Sequence, residues 1–278
     1  YHDKLVITPN VSPNCHQQGK KKNIILNIGR LESPKNHKLL IESFKIFLET
    51  IKHLCFYYEE GIMGKLLCPS MMCANFGHLE KEVKDLEEGG IDIFHLDVMD
   101  GSFVPNFGMG LQDIEYIVKT ATKPCDVHLM VTKPSDYIQK FADIGVQIIY
   151  VHPETDNHIT RTLQMIKDAG AKAGIAVNPG TSFETVKDTL SLVDYVLVMT
   201  VNPGFAGQKY LSFVDHKFEQ FCELKNQYGY KVMIDGACSP ERIATLSKMG
   251  VDGFILGTSA LFGKDKSYQD ICQELRQL

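Results

Sequence analysis

From Leu66 onward, short apolar runs alternate with longer stretches in which apolar side chains recur at helical spacing. The runs read LLCPSMM, IFHLDVM, CDVHLM, IIYVHPE, KAGIAVN, YVLVMTV, KVMIDG and GFILGTS, eight in all. Each is followed by a helix-like segment, such as Leu79 to Gly89 or Thr160 to Gly170, commonly closed by Gly. Repeated β-then-α order predicts a parallel sheet wrapped in helices. Eight such units in roughly 210 residues sit at the compact end of the range for a (β/α)8 TIM barrel. An open, doubly wound sheet is the competing architecture.

Polar residues interrupt this pattern in one place per strand. In FHLDVMDG, Phe94 to Gly101, alternation puts His95, Asp97 and Met99 on one face and Phe94, Leu96 and Val98 on the other. A strand that carries His and Asp on one face must point them at something other than an apolar core. Ser70, His95, Asp97, His128, His152, Asn178, Asn202, Asp235 and Thr258 all fall at or near the C-terminal ends of successive predicted strands. Barrel active sites are assembled there from many strands at once. An open sheet would gather such residues at a single switch point, so the distribution favours the barrel.

The first 62 residues have a different pattern. NIILNIGRLESPKNHKLLIESFKIFLE reads as one buried strand, a loop with Arg30 and Lys35, and one amphipathic helix. A single, incomplete βα segment cannot cover both faces of its strand, so residues 1–62 are expected to be a fragment and linker rather than an independent domain, with the barrel occupying 63–278. The stretch from VITPNVS through GRLESPKNHKLLIESF resembles the start of the nucleotide-sugar domain of retaining GT-B glycosyltransferases. That resemblance implies diphosphate contacts for Arg30 and Lys35, but the acceptor domain and the rest of the donor domain have no counterpart, so sugar transfer is not expected. Glu59-Glu60-Gly61 can be encoded by a purine-rich run of the kind that recruits bacterial ribosomes, just ahead of Met63. The junction therefore reads as an interrupted upstream frame joined to a complete barrel, and easy proteolysis is expected before Met63.

Composition narrows the class. The chain has 278 residues, 44% hydrophobic and 23% charged, enough for a full core. A net charge of −5, with KKK at Lys20 to Lys22 as the single basic cluster, gives no general attraction to nucleic acid or to an anionic membrane. The eight cysteines form no C-x-x-C pair and several sit in apolar strands, which points to reduced thiols and a cytoplasmic protein. No apolar run is long enough to span a bilayer, and the N-terminus lacks an export pattern.

Two His and two carboxylates, His95, Asp97, His128 and Asp235, can make a divalent-metal site of mixed nitrogen and oxygen ligands, suited to zinc, iron(II), manganese or cobalt. H-x-D alone is a weak signal, and one His in isolation reads as a core imidazole bonded to a carbonyl. Four such groups on three strands, all at one end, outweigh that reading. VNPGFAGQ supplies Gly204 and Gly207, DGA supplies Gly236, and LGTS supplies Gly257 with Thr258. Glycine loops after the last three barrel strands expose backbone amides that hold a phosphate without Lys or Arg. Met72, Met99, Met130 and Met199 also lie at strand ends. Met72 reads as core filler, while Met99 and Met130 suit an apolar cap over a bound substrate.

With those residues in view, PSMMCANF, HLDVMDGSFVPNFGMG, DVHLMV, VHPET, VNPGFAGQ, DGAC and LGTSALFG resemble the ribulose-phosphate 3-epimerase family across the whole barrel. The resemblance implies that His95, Asp97, His128 and Asp235 bind one divalent metal ion and that Asp97 and Asp235 are the catalytic acid/base pair. It implies that Ser70, His128 and the loop Gly204, Phe205, Ala206 and Gly207 contact substrate, and that Met99, Met130 and Met199 cap the intermediate. Gly236, Ala237, Gly257 and Thr258 complete the expected phosphate loops. DGAC with Ala237, GTS with Thr258, and HPET are closer to the allulose-6-phosphate 3-epimerase branch. The expected reaction is therefore ribulose 5-phosphate to xylulose 5-phosphate, with allulose 6-phosphate to fructose 6-phosphate as the alternative pair. Dimers and hexamers are common in such a family, so a homo-oligomer is compatible with this reading. Related decarboxylases and synthases carry D-x-K-x-x-D on a strand, which Asp97-Val98-Met99-Asp100 does not match. A non-catalytic sugar-phosphate-binding barrel would need the glycine loops without the two carboxylates.

Overall fold

The structure, a computed structural model, describes residues 64–278. The readings for residues 1–62, with Arg30, Lys35 and the start at Met63, lie outside the described residues. The elements run β1 (Leu66–Pro69), α1 (Leu79–Glu88), β2 (Phe94–Met99), α2 (Leu111–Thr120), β3 (Cys125–Met130), α3 (Ile138–Ile144), β4 (Ile148–Val151) and α4 (Ile159–Asp168). They continue with β5 (Lys172–Val177), α5 (Phe183–Val186), β6 (Tyr195–Met199), α6 (Asp215–Tyr228), β7 (Lys231–Asp235), α7 (Pro240–Met249), β8 (Gly253–Leu256) and α8 (Tyr268–Gln277). All strand pairs are parallel, in the order β1-β8-β7-β6-β5-β4-β3-β2. The remaining seam, between β1 and β2, is joined by one parallel bridge, Ser70 to His95. The sheet is thus a barrel, closed at the level of its polar residues.

Local chemistry explains the helix ends. Gly145, Gly229 and Gly250 close α3, α6 and α7 in the left-handed conformation, where a side chain would be strained. At the start of α7, Ser239 accepts from the Arg242 amide and Pro240 follows it, a capping residue ahead of a proline that needs no donor. No helix among the described residues is long and apolar enough to cross a membrane.

Strand alternation divides the buried residues into two layers. Phe94, Leu96, Val127, Leu129, Val196, Val198, Val232 and Ile234 face outward and share one core with Val83, Leu86, Ile114, Ile117, Phe218 and Phe221 from the helices. The intervening residues fill the barrel: Cys68, Tyr150, Ala176, Leu197, Met233 and Ile255 are buried outside that core. Register sets His95 beside Asp126, Asp97 beside His128, and Met99 beside Met130.

Gly174 is required by this filling. A Cβ there would lie 2.3 Å from Cδ1 of Tyr150, whose ring packs edge-on against Tyr195 at 6.1 Å and stands 6.3 Å from the His95 ring. The Tyr150 ring has no free direction in which to yield. Gly174→Ala is expected to lower stability by about 1–3 kcal/mol, the usual cost of overpacking. Urea denaturation measures it, and an unchanged midpoint would refute this account of the barrel interior.

The first strand is shorter than its apolar run. After Pro69 and the bridging Ser70, the chain turns through one 3-10 turn, Met71–Cys73. Met71 enters the core, while Met72 packs beside Met99, Val104 and Met130. The expectation that Met72 is core filler is therefore corrected: Met72 lines the cleft beside Ser70, on the side of the chain that also carries Cys68 and away from Leu67 and Met71.

Candidate active site and metal centre

His95 and Asp97 on β2, His128 on β3 and Asp235 at the end of β7 converge, with one ligand atom from each within 4.8 Å of the others. His95 Nε2 lies 3.3 Å from Asp97 Oδ1, and His128 Nδ1 lies 3.3 Å from the same oxygen and 3.6 Å from Asp235 Oδ2. Ligands held about 2.1 Å from a single ion stand roughly 3–4 Å apart, so these spacings suit one cation. His95 Nε2 is buried and has no hydrogen-bond partner, an uncommon state for such an atom unless a ligand completes it. The donor set and the orphaned nitrogen together fit a divalent ion.

The groups behind this cluster hold it in place. Asp126, wholly buried, sits 2.6 Å from His95 Nδ1, so His95 directs Nε2 into the cluster. Ser70 Oγ donates to Asp97 Oδ2 at 2.7 Å, leaving Oδ1 for the histidines. Burial pushes the Asp97 carboxyl up, but His95 and His128 outweigh it and hold the group below the usual carboxylate range. Asp235 has no comparable contact, and burial, with Asp97 adding to it, raises its carboxyl. Burial opposes charge on His95, yet Asp126 and Asp97 raise its imidazole well above normal. Asp126 was not singled out from the sequence. Its signal was present: it stands two residues before His128, on the same strand face.

Above the cluster opens a cleft lined by Ser70, Asp97 and Asp235, by Met99, Met130 and Met199, and by the loops after β6, β7 and β8. Gly204, Phe205, Ala206, Gly207, Gly236, Ala237, Gly257 and Thr258 all line it. Met72, Cys73, Asn202 and Gln208 line it as well, and of these Met72, Cys73 and Gln208 carried no functional expectation from the sequence. The Thr258 amide donates to the Cys73 thiol, whereas those of Ala237, Cys238 and Ser259 donate no hydrogen bond to any described residue, which leaves them available to an anion. Gly236 and Ala237 have φ of 104° and 44°, so the chain turns sharply at the cleft floor. Ala237 tolerates a conformation that favours glycine, at a cost of roughly 1 kcal/mol.

Asp100 and two residues of the strand-end set, His152 and Asn178, have other roles in the geometry. Asp100 accepts from the Ser102 and Phe103 amides and from the Thr132 amide and hydroxyl, at 2.7 to 2.9 Å. It ties the loop after β2 across to β3, and Asn106 Nδ2 donates to the Gly204 carbonyl at 2.7 Å, linking the same loop to the one after β6. His152 lies behind His128, with the two Nε2 atoms 2.8 Å apart. The Asn178 carbonyl accepts from buried Lys217 at 2.9 Å.

Fold and site together define a (β/α)8 barrel enzyme with a candidate metal cluster and an anion-receptive cleft at the C-terminal ends of its strands. Within that class the chain belongs to the Ribulose-phosphate 3 epimerase family, an isomerase family whose pattern matches residues 66–262. The ribulose-phosphate 3-epimerase of Aquifex aeolicus is 40% identical over 203 residues, covering 72% of this chain and 91% of that protein. The Bacillus subtilis enzyme of the same name is 39% identical, covering 71% and 92%. The chloroplastic ribulose-5-phosphate-3-epimerase of Arabidopsis thaliana is 35% identical, covering 72% and 73%. Among solved structures, 3-keto-L-gulonate-6-phosphate decarboxylase from Vibrio cholerae aligns with a TM-score of 0.57 at 12% identity, over 77% of this chain and 96% of that one. At that identity the likeness concerns the fold.

Proposed function

We propose that the barrel, residues 63–278, interconverts ribulose 5-phosphate and xylulose 5-phosphate. The observation that carries the reading is the pair Asp97 and Asp235, brought from β2 and β7 to one cleft, Asp97 with an oxygen beside both His95 and His128 and Asp235 with one beside His128. Epimerisation at C3, beside the C2 ketone, removes a proton from one face and returns one to the other through a planar enediolate. One base does not readily reach both faces. Asp97 Oδ2, oriented by Ser70, and the Asp235 carboxylate can serve the two faces of a substrate lying between them. A divalent ion at the cluster, zinc, iron(II), manganese or cobalt, would supply Lewis-acid stabilisation of charge on the substrate oxygens. Met99, Met130 and Met199 keep water from the reacting carbon, and the free amides after β7 and β8 receive the phosphate. Six described cysteines are free thiols, which suits a cytoplasmic location.

The experiment is a coupled assay that compares kcat/KM on ribulose 5-phosphate and allulose 6-phosphate. The five-carbon substrate is expected to win. A clear preference for the six-carbon sugar would transfer the function to the alternative pair, and turnover of neither would leave a binding barrel.

A further inference from the structure

The two histidines of the cluster present different nitrogens to it, and they are fixed by different means. His95 offers Nε2 because its Nδ1 is held by Asp126. His128 offers Nδ1, toward Asp97 and Asp235, while its Nε2 lies 2.8 Å from Nε2 of His152. Both rings are wholly buried, so no solvent molecule sets the proton between them. Two imidazole nitrogens at that distance share one proton, and its owner decides the chemistry of the far side. If His152 donates, neutral His128 carries its proton on Nδ1 and cannot ligate through that atom. If His128 donates, its Nδ1 lone pair faces the carboxylates, where an ion would lie.

The surroundings of His152 select the second arrangement. Its other nitrogen, Nδ1, stands 3.3 Å from Glu154 Oε2, a long contact rather than a full hydrogen bond, but one that an ionised carboxylate can make only as acceptor. Glu154 is itself held by the Asn178 amide, at 3.2 Å, and by the Thr181 hydroxyl, both through Oε1, which leaves Oε2 for His152. With the proton on Nδ1, His152 Nε2 is an acceptor. The ring is packed against Phe103 at 4.9 Å between centroids, so it keeps this orientation.

We propose that His152 is a positioning residue which, oriented by Glu154, accepts the His128 Nε2 proton and so fixes His128 in the tautomer that ligates a divalent ion through Nδ1. The inference rests on the metal-site reading above. It extends that site outward along one line, from His128 to His152 to Glu154, onto a carboxylate at the loop after β4.

The test uses the full chain, stripped of metal and titrated with Co2+ against a competing chelator, with the visible absorption of the Co2+ complex as a second readout. His152→Leu removes the acceptor and is expected to weaken Co2+ binding by about 10–100-fold, the usual effect of losing such a partner, with a shift of the ligand-field bands. His152→Gln, whose amide oxygen can accept the same proton, is expected to retain affinity within about threefold and an unshifted spectrum. Glu154→Ala is expected to weaken binding in the same direction, and to add little in the double variant with His152→Leu, because both act through one contact. Should His152→Leu not fold, Glu154→Ala, whose side chain reaches the surface, decides the matter alone. Binding by His152→Leu within twofold of the parent would overturn the proposal, as would equal loss in the Leu and Gln variants, which would indicate packing. Co2+ binding that is unaffected by Asp97→Ala, which offers no ligand atom at all, would overturn the metal-site reading itself, and the proposal with it.

Discussion

Asp97→Asn is expected to abolish epimerisation, and so is Asp235→Asn, yet each variant should exchange solvent deuterium at C3 of one epimer only, the two variants exchanging opposite epimers. This is the expected result if the two carboxylates serve opposite faces of the carbon. Each substitution leaves an amide of the same shape that can still take part in the cluster through its oxygen, so loss of the proton acceptor is separated from loss of the scaffold. Removing a positioned acid or base costs about 10²–10⁴-fold in rate, and here the missing half-reaction cannot be bypassed by its partner. The Asp97 side chain is 5% exposed and held by Ser70 and two histidines, whereas the Asp235 side chain is 18% exposed. The Asp97 variant should therefore show the larger loss of stability as well. Wash-in measured by mass spectrometry, with each epimer offered in turn, checks the assignment. Exchange of the same epimer by both variants, or turnover near the parent rate in either, would refute it.

Chelation is expected to remove all measurable turnover, and added divalent ion to restore it. The same ion should raise the melting temperature, because a site assembled from β2, β3 and β7 exists only in the folded chain. An ion at a hundred times its dissociation constant stabilises the folded state by about 2.7 kcal/mol through mass action. The stabilisation should largely vanish in a chain carrying Asp97→Asn together with Asp235→Asn. Differential scanning calorimetry with and without Co2+ reads this directly. Full activity in excess chelator, or an equal melting shift in the double variant, would show that the cluster is a polar core feature and no metal centre.

Much of this molecule was legible before any coordinates. The alternation of apolar runs with helical stretches after Leu66 specified eight βα units, and the observed β3 coincides with the run CDVHLM end to end. Strand alternation also separated His95, Asp97 and Met99 from Phe94 and Leu96, because a period of two is a property of the strand itself. The convergence of the four candidate ligands at one end followed from their common place at strand ends.

What the linear pattern could not contain is register and close approach. Asp126 became visible as a partner of His95 only when β2 and β3 were set side by side, since pairing in a parallel sheet depends on the length of the intervening helix and loops. Met72 proved to line the cleft beside Ser70 because the strand-end loops and the facing Met99 and Met130 meet there, a contact made across the barrel mouth. The need for Gly174 is likewise set across the sheet, by the Tyr150 ring that lies over it. His152 stood in the sequence as one more strand-end imidazole, and its contact with His128 depended on ring orientation inside a filled barrel. Residue type and periodicity are set along the chain and determined the architecture and the chemistry at hand. Which nitrogen, which oxygen and which neighbour each group uses is set across the chain, and only the tertiary packing of strands well separated in sequence decided it.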